Sequence, residues 1–289
     1  MRAAAVQLQC TTDTEANLAS AERLVRAAAA DGAELVVLPE RLDIRGASAD
    51  YLAGAEPLEG RPIQWARALA DGLGIDLVAG SIAERREGRE RISNTSVHVG
   101  PDGGIRAVYR KIHMFDIEVE GTVYRESEHS EAADEIVLSE TANGAGLGLT
   151  ICYDLRFPEL YRILALRGAR IVTVPANFTR ITGEAHWEVL LRARAIEDQV
   201  FVIAPGQGNL PGTEQDSYGN SMIVDPWGEV LARAPMEGEH VIAADLDLSR
   251  QDEVREKLPS LANRVDGAYR WPPNAAPQAK LALRRRITA

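Results

Sequence analysis

Cysteine is scarce in this 289-residue chain, which has only Cys10 and Cys152. Two cysteines in so long a chain give neither a disulfide framework nor a cysteine-rich zinc site, and such usage fits a reducing, cytoplasmic compartment. Positive charge is also short: 32 Lys and Arg against 43 Asp and Glu leave a net charge of -11. Nucleic-acid binding relies on clustered cations that displace counterions, so the balance argues against a polyanionic partner. No stretch approaches the roughly 18 consecutive apolar residues that span a bilayer, which argues against a membrane partner. Residues 1–9 run directly into strand-like sequence without a signal-peptide pattern. The chain has no internal repeat and no low-complexity segment. Glu126, His129, His186 and Glu188 have no convincing metal-ligand spacing. Gly144, Gly146 and Gly148 precede a strand instead of following one, which excludes a phosphate loop.

What remains is an ordinary soluble composition, 45% hydrophobic, large enough for one layered α/β domain. Residues 2–9 read as a strand. Asp13 or Thr14 can cap a helix with Leu18, Ala21, Leu24, Val25 and Ala28 on one face, closed by Gly32. The apolar run 33–38 has the pattern of a strand buried on both faces. A helix over 62–73 then precedes a strand at 76–79, and this alternation implies βαβ units. Residues 92–99 and 105–109 flank a Pro-Asp-Gly turn and predict a hairpin. Residues 112–134 read as a long functional loop. Strands are expected at 147–151 and 169–174, and helices at 153–160 and 184–198. Two further strand pairs follow, 200–204 with 221–224 and 230–232 with 240–246. The domain is read as residues 1–258. Residues 259–289, with Pro272, Pro273, Pro277 and a basic run at 284–286, read as an arm across a partner subunit or as a frayed tail.

Glu40, Lys111 and Cys152 stand just beyond the ends of three separate strand-like runs. Ligands in open α/β sheets collect at such strand ends, so these residues have a chance to converge. A lone Glu or Lys after a strand is usually a solvated charge, and a lone cysteine is usually an inert hydrophobe. Together they form an acyl-transfer set: Cys152 the nucleophile, Glu40 the general base and acid, and Lys111 the positive charge for an oxyanion, assisted by the Tyr153 backbone N–H. Facing the N–H groups of the following helix, the Cys152 thiol is expected to have a lowered pKa. His113 and His186 are rival bases for a Cys-His mechanism but read better as structural. Arg156, Arg192 and Arg194 could meet a substrate carboxylate, with structural ion pairing the stronger reading. Cys10 reads as a core residue.

The segments LVVLPE (35–40), YRKIHMFDI (109–117), GLTICYDLRFPEL (148–160) and AHWEVLLRARAIEDQ (185–199), with DPWG at 225–228, resemble the signature blocks of the nitrilase superfamily of carbon–nitrogen hydrolases. The similarity runs in family order to about residue 248. It implies a four-layer α-β-β-α sandwich with mixed sheets, whose subunits pair into a homodimer, and a reaction without metal or organic cofactor. It assigns the base, the lysine and the nucleophile to Glu40, Lys111 and Cys152, and a second pocket glutamate to Glu126. Asn177 and Phe178 fall at pocket positions. The wording of 178–199 and 217–228 is similar to the Nit-type amidases, which include deaminated-glutathione amidases and ω-amidases. The resemblance thus implies hydrolysis of a small carboxylated, α-keto-acid-type amide through a thioester. Nitrile hydrolysis, N-carbamoyl hydrolysis and a non-catalytic binding role on the same fold are the alternatives. This chain departs from the usual family wording at Val119-Glu120-Gly121, Asn177 and Asn220.

Overall fold

The structure is a computed structural model that describes residues 1–210 and 216–269. In chain order the first half comprises β1 (Arg2–Gln7), α1 (Thr14–Ala30), β2 (Leu35–Val37), α2 (Ser48–Gly54), α3 (Arg61–Leu73), β3 (Asp76–Val78), β4 (Ile82–Glu84), β5 (Ser93–Val99), β6 (Ile105–Arg110), β7 (Asp116–Val119) and β8 (Thr122–Arg125). The second comprises β9 (Leu138–Glu140), β10 (Gly146–Leu149), α4 (Pro158–Leu166), β11 (Ile171–Thr173), α5 (Arg180–Asp198), β12 (Phe201–Ala204), β13 (Met222–Val224), β14 (Val230–Arg233), β15 (His240–Asp245) and α6 (Leu248–Lys257).

Two mixed sheets stack face to face. One runs β15-β1-β2-β3-β5-β4 with β6 paired to β5, and the other runs β14-β13-β12-β11-β10-β9. β1, β2 and β3 are mutually parallel, as are β10, β11 and β12. The period-two alternation of a strand decides which core each side chain joins. Ala3, Ala5, Leu35, Val37 and Val78 face the second sheet and share a core with Leu147, Leu149 and Ile171. Ala4, Val6, Val36, Leu38 and Leu77 face the opposite way, onto Leu18, Ala21, Leu24 and Val25 of α1 and Ile63, Ala66 and Leu69 of α3. α4 and α5 cover the outer face of the second sheet with Leu160, Leu164, Trp187 and Leu191. The result is the four-layer α-β-β-α sandwich.

Local chemistry accounts for the element ends. The Asp13 side chain accepts from the Ala16 N–H to start α1, and Gly32, at φ +86°, ends it in the left-handed region that glycine enters without steric cost. At Gly148 a Cβ would sit 3.0 Å from the Leu164 side chain, so the missing side chain lets α4 lie close on β10.

Several expectations need correction. Residues 230–232 and 240–246 do not pair with each other: β14 pairs with β13 and β15 with β1, so the connection between them carries the chain from one sheet to the other. The 112–134 loop contains the β7–β8 hairpin, closed by Glu120 at φ +47° and Gly121 at φ +79°. A proline, locked near φ −65°, could not adopt this turn at position 120. Instead of a helix over 153–160 there is a 3-10 turn, Cys152–Arg156, broken at Phe157 before α4 begins at Pro158. α5 begins at Arg180, four residues ahead of the expected start, and α2, α6, β4 and β9 were not foreseen. Beyond α6 the chain continues in turns and a short 3-10 helix, Asp266–Ala268, to residue 269. The remainder of the expected arm, with its prolines and basic run, lies outside the described residues.

Candidate active site

The sheet-end placement brings the expected residues together. Glu40 follows β2, Lys111 follows β6 and Cys152 follows β10, and all three are at least nine-tenths buried. Lys111 Nζ lies 3.1 Å from Glu40 Oε1 and 2.8 Å from Glu126 Oε2. Asn94 Nδ2 donates to both glutamates, at 2.8 Å to Glu40 and 3.2 Å to Glu126. The Asn177 N–H donates to Glu40 Oε2 at 2.8 Å, and the Phe115 N–H to Glu126 Oε2 at 2.8 Å. Glu126 Oε1 also accepts from Arg41 Nη2 at 3.2 Å. Two carboxylates and two cations therefore form one buried, charge-balanced cluster. Such a cluster is stable only when every member keeps its partners.

The electrostatics follow from this geometry. Burial alone would raise the Glu126 carboxyl, but Lys111 and Arg41 outweigh it and bring the pKa down to about 2. Lys111 resists the effect of its own burial because Glu126 and Glu40 hold its proton, and its pKa is raised. The Cys152 thiol is pushed well above its ordinary value, first by burial, then by the negative charge of the Glu40 carboxylate, with Lys111 acting in the opposite direction. This overturns the expected lowering of the thiol pKa. The helix proper starts six residues after Cys152, so its N–H groups do not act on the sulfur, while desolvation and a carboxylate do. Cys152 itself sits at φ +47°, a conformation uncommon outside glycine, and its N–H is tied to Pro175 O at 2.9 Å. Backbone strain of this kind clusters where a side chain must be aimed.

Asp154, fully buried, fixes the turn. Its Oδ2 accepts from the Ile151 N–H at 2.8 Å and from the Tyr109 hydroxyl at 2.6 Å, and its Oδ1 pairs with His113 Nδ1 at 2.7 Å. The cysteine turn is thereby tied to the strand end that carries Lys111. His113 is stacked on Phe157 at 3.5 Å between ring centroids. His186 is exposed on α5 against Arg156. Neither histidine is placed as a partner of the thiol, in line with the structural reading.

Glu40, Arg41, Lys111, Glu126 and Cys152 line a cavity of about 520 Å³ together with Tyr51, Phe115, Tyr124, His129, Tyr153, Asn177, Phe178 and Ser217. Arg192 and Arg194 lie elsewhere, donating to Gly228 O and Leu155 O. Cys10 is buried, and burial pushes its thiol up to about 12. Sequence reading missed Arg41, Asn94, Tyr51 and Asp154. One signal was available for Asn94: the polar run Ser93-Asn94-Thr95-Ser96 lies in a strand with every residue buried. Buried polar residues are the informative exceptions to hydrophobic burial. Among the described residues, no group of three or more His, Cys, Asp or Glu is placed to hold a metal ion.

Comparison with known proteins places this geometry in context. The sequence model of one family, Carbon-nitrogen hydrolase, matches residues 2–256. The chain is 37% identical over 269 residues to the omega-amidase NIT2 of Pongo abelii, covering 93% of this chain and 96% of that protein. It is 40% identical over 271 residues to the deaminated glutathione amidase of Homo sapiens, covering 92% and 83% respectively. The crystal structure of Saccharomyces cerevisiae Nit3, of branch 10 of the nitrilase superfamily, superposes with a TM-score of 0.84 at 29% identity, covering 93% of this chain and 97% of that one.

Proposed function

Because the chain belongs to the carbon–nitrogen hydrolase family, we propose that Cys152 is its nucleophile and Glu40, Lys111 and Glu126 its acid–base and electrostatic machinery. The protein is an amidase, a hydrolase of carbon–nitrogen bonds other than peptide bonds. The observation that carries the mechanistic reading is the convergence of Glu40, Lys111 and Cys152 on one cavity, with the Lys111 ammonium 3.1 Å from the Glu40 carboxylate.

In this reaction Glu40 takes the thiol proton as sulfur attacks the amide carbonyl carbon. The carbonyl oxygen becomes an oxyanion facing Lys111 and the Tyr153 N–H, donors that are more valuable in a water-poor site than in bulk water. Glu40 returns its proton to the leaving nitrogen, the carbon–nitrogen bond breaks, and ammonia departs from a Cys152 thioester. A water molecule gives a proton to Glu40 and attacks the thioester, and the regenerated thiol recovers that proton as the acid leaves. The raised thiol pKa suits this sequence, since the proton moves only when the carboxylate accepts it. Glu126 holds Lys111 in place, while Asn177 and Phe178 complete the lining of the cavity.

The substrate is a small carboxylated amide of the α-keto-acid type. The nearly equal identities to a deaminated glutathione amidase and to an omega-amidase support the class without dividing it. A homodimer is supported by exposed Ile163, Leu166, Val189 and Ile196 on α4 and α5, beside exposed Trp227. A cytoplasmic setting is supported by the free buried thiol at the site. Ammonia release from α-ketoglutaramate, deaminated glutathione and simple aliphatic amides tests the reading. Turnover is expected with the native protein and should vanish in Cys152→Ala at unchanged circular dichroism. Activity retained in that variant would remove Cys152 as nucleophile.

A further inference from the structure

Arg41 follows Glu40 directly, at φ +62°, and its side chain is 5% exposed. One terminal nitrogen, Nη2, bonds Glu126, whereas Nη1 is buried with no hydrogen-bond partner. The guanidinium is held over the Tyr51 ring, with Cζ 4.2 Å from the centroid. His129 stacks on the same ring at 5.4 Å, and both its ring nitrogens are buried without partners. All three side chains line the cavity that contains Cys152. Unsatisfied buried donors call for an explanation, and a guanidinium with a free edge suits a planar anion. Burial, then the Arg41 charge, hold the His129 pKa down to about 4. The neutral ring therefore offers one N–H to an acceptor beside Arg41. Arg156, Arg192 and Arg194 do not line this cavity among the described residues.

We infer that Arg41 and His129 receive the carboxylate of the amide substrate and so set its preference for anionic over neutral amides. The inference rests on the amidase reading and assigns its carboxylate to one end of the pocket. Arg41 is one carboxylate removed from Lys111, since Glu126 bridges the two. An amide carbonyl at Cys152 and Lys111 thus leaves a short chain to reach Arg41, as in the monoamide of a small dicarboxylic acid.

The test compares kcat/KM for succinamate against butyramide and for glutaramate against valeramide, pairs matched in length. The native protein should favour the anion in at least one pair. Arg41→Gln should reduce that preference on the order of 10- to 100-fold, the range expected from losing a hydrogen bond to a charged group. Arg41→Lys, which keeps the charge, should fall between, and His129→Phe should reduce the preference less. The readout is the ratio within each pair, because Arg41→Gln also disturbs Glu126 and lowers both rates. A ratio unchanged in Arg41→Gln overturns the inference, as does a native protein without preference for the anion. If the native protein hydrolyses none of the four, the amidase reading is judged separately on α-ketoglutaramate and deaminated glutathione, and titration calorimetry with succinate and glutarate decides the receptor. Binding that Arg41→Gln abolishes supports it, and absent or unchanged binding overturns it.

Discussion

Replacing Lys111 by Met removes the cation that lies 2.8 Å from Glu126 and 3.1 Å from Glu40, in a site where all three side chains are less than a tenth exposed. Solvent does not screen this loss. Four charges that now balance would become two carboxylates against Arg41 alone, both still bridged by Asn94. Breaking a buried pair by removing one partner costs about 3–5 kcal/mol, which lowers Tm by roughly 6–20 °C in a domain of this size class. The loss depends on pH. Two desolvated like charges force one carboxylate to bind its proton more tightly in the folded variant than in the unfolded chain. A group whose folded pKa is raised contributes stability below its unfolded pKa, and that contribution disappears as pH rises through the folded value. The deficit of Lys111→Met against the native protein should therefore be small near pH 5 and full at pH 8. Scanning calorimetry at the two pH values measures it, alongside a fall in kcat on the order of 10²–10³ from the lost oxyanion charge. A variant as stable as the native protein at pH 8, or a deficit identical at both pH values, would refute the charge-balance argument.

Three further perturbations test other parts of the site and fold. Glu126, held at about 2 against an ordinary value of 4.5, contributes stability that is complete above pH 4.5 and lost as pH falls towards 2. Glu126→Gln should be less stable at neutral pH but show a shallower loss between pH 4.5 and 2 by circular dichroism, and an acid limb as steep as the native one counts against the assignment. His113 is tied to Asp154 and stacked on Phe157, so His113→Gln should keep the shape of the kcat/KM profile between pH 6 and 8. Disappearance of its basic-side rise would revive a histidine base. Asp198, at the C-terminal end of α5, is pushed up to about 7 by burial despite the opposing charge of Arg162. Its ionisation costs the fold stability as pH rises from 4 to 7. Asp198→Asn should gain about 1–2 kcal/mol at pH 8 and little at pH 4. Equal stability of the two proteins in urea at pH 8 would contradict this.

Periodicity made much of the architecture legible. The apolar face of α1 and the doubly buried run of β2 each follow from residues close in sequence, which is the range over which helix and strand periods operate. Partner choice between sheets was not legible, because β14 and β15 are divided by contacts with β13 and β1. β1 is more than two hundred residues from β15 in sequence. The site divides in the same way. Glu40, Lys111 and Cys152 could be found because each ends an apolar run. Asn94 could not be assigned to them, since its role depends on β5 lying beside the strand end that carries Lys111, whose N–H donates to Asn94 O at 2.9 Å. Arg41 is the clearest case: a residue next to a strand end ordinarily points its side chain into solvent. Here a left-handed backbone places it under Tyr51 and against Glu126 instead.

The thiol shows why position alone is an insufficient guide to reactivity. A cysteine at a helix N-terminus invites the conclusion that it rests as a thiolate, yet a thiolate at position 152 would stand buried against the Glu40 carboxylate. Burial first, and then the repulsion of like charges in so little solvent, raise the thiol pKa. The same proximity is what a proton transfer needs. In the proposed mechanism, with the proton resting on sulfur and Glu40 as its acceptor, nucleophile formation is coupled to attack, and total charge in the cluster is conserved at that step. Lys111 then meets the negative charge when it reaches the carbonyl oxygen. Arg41 is part of this arrangement because it offsets Glu126, leaving the Lys111 charge to answer Glu40 and the oxyanion in turn.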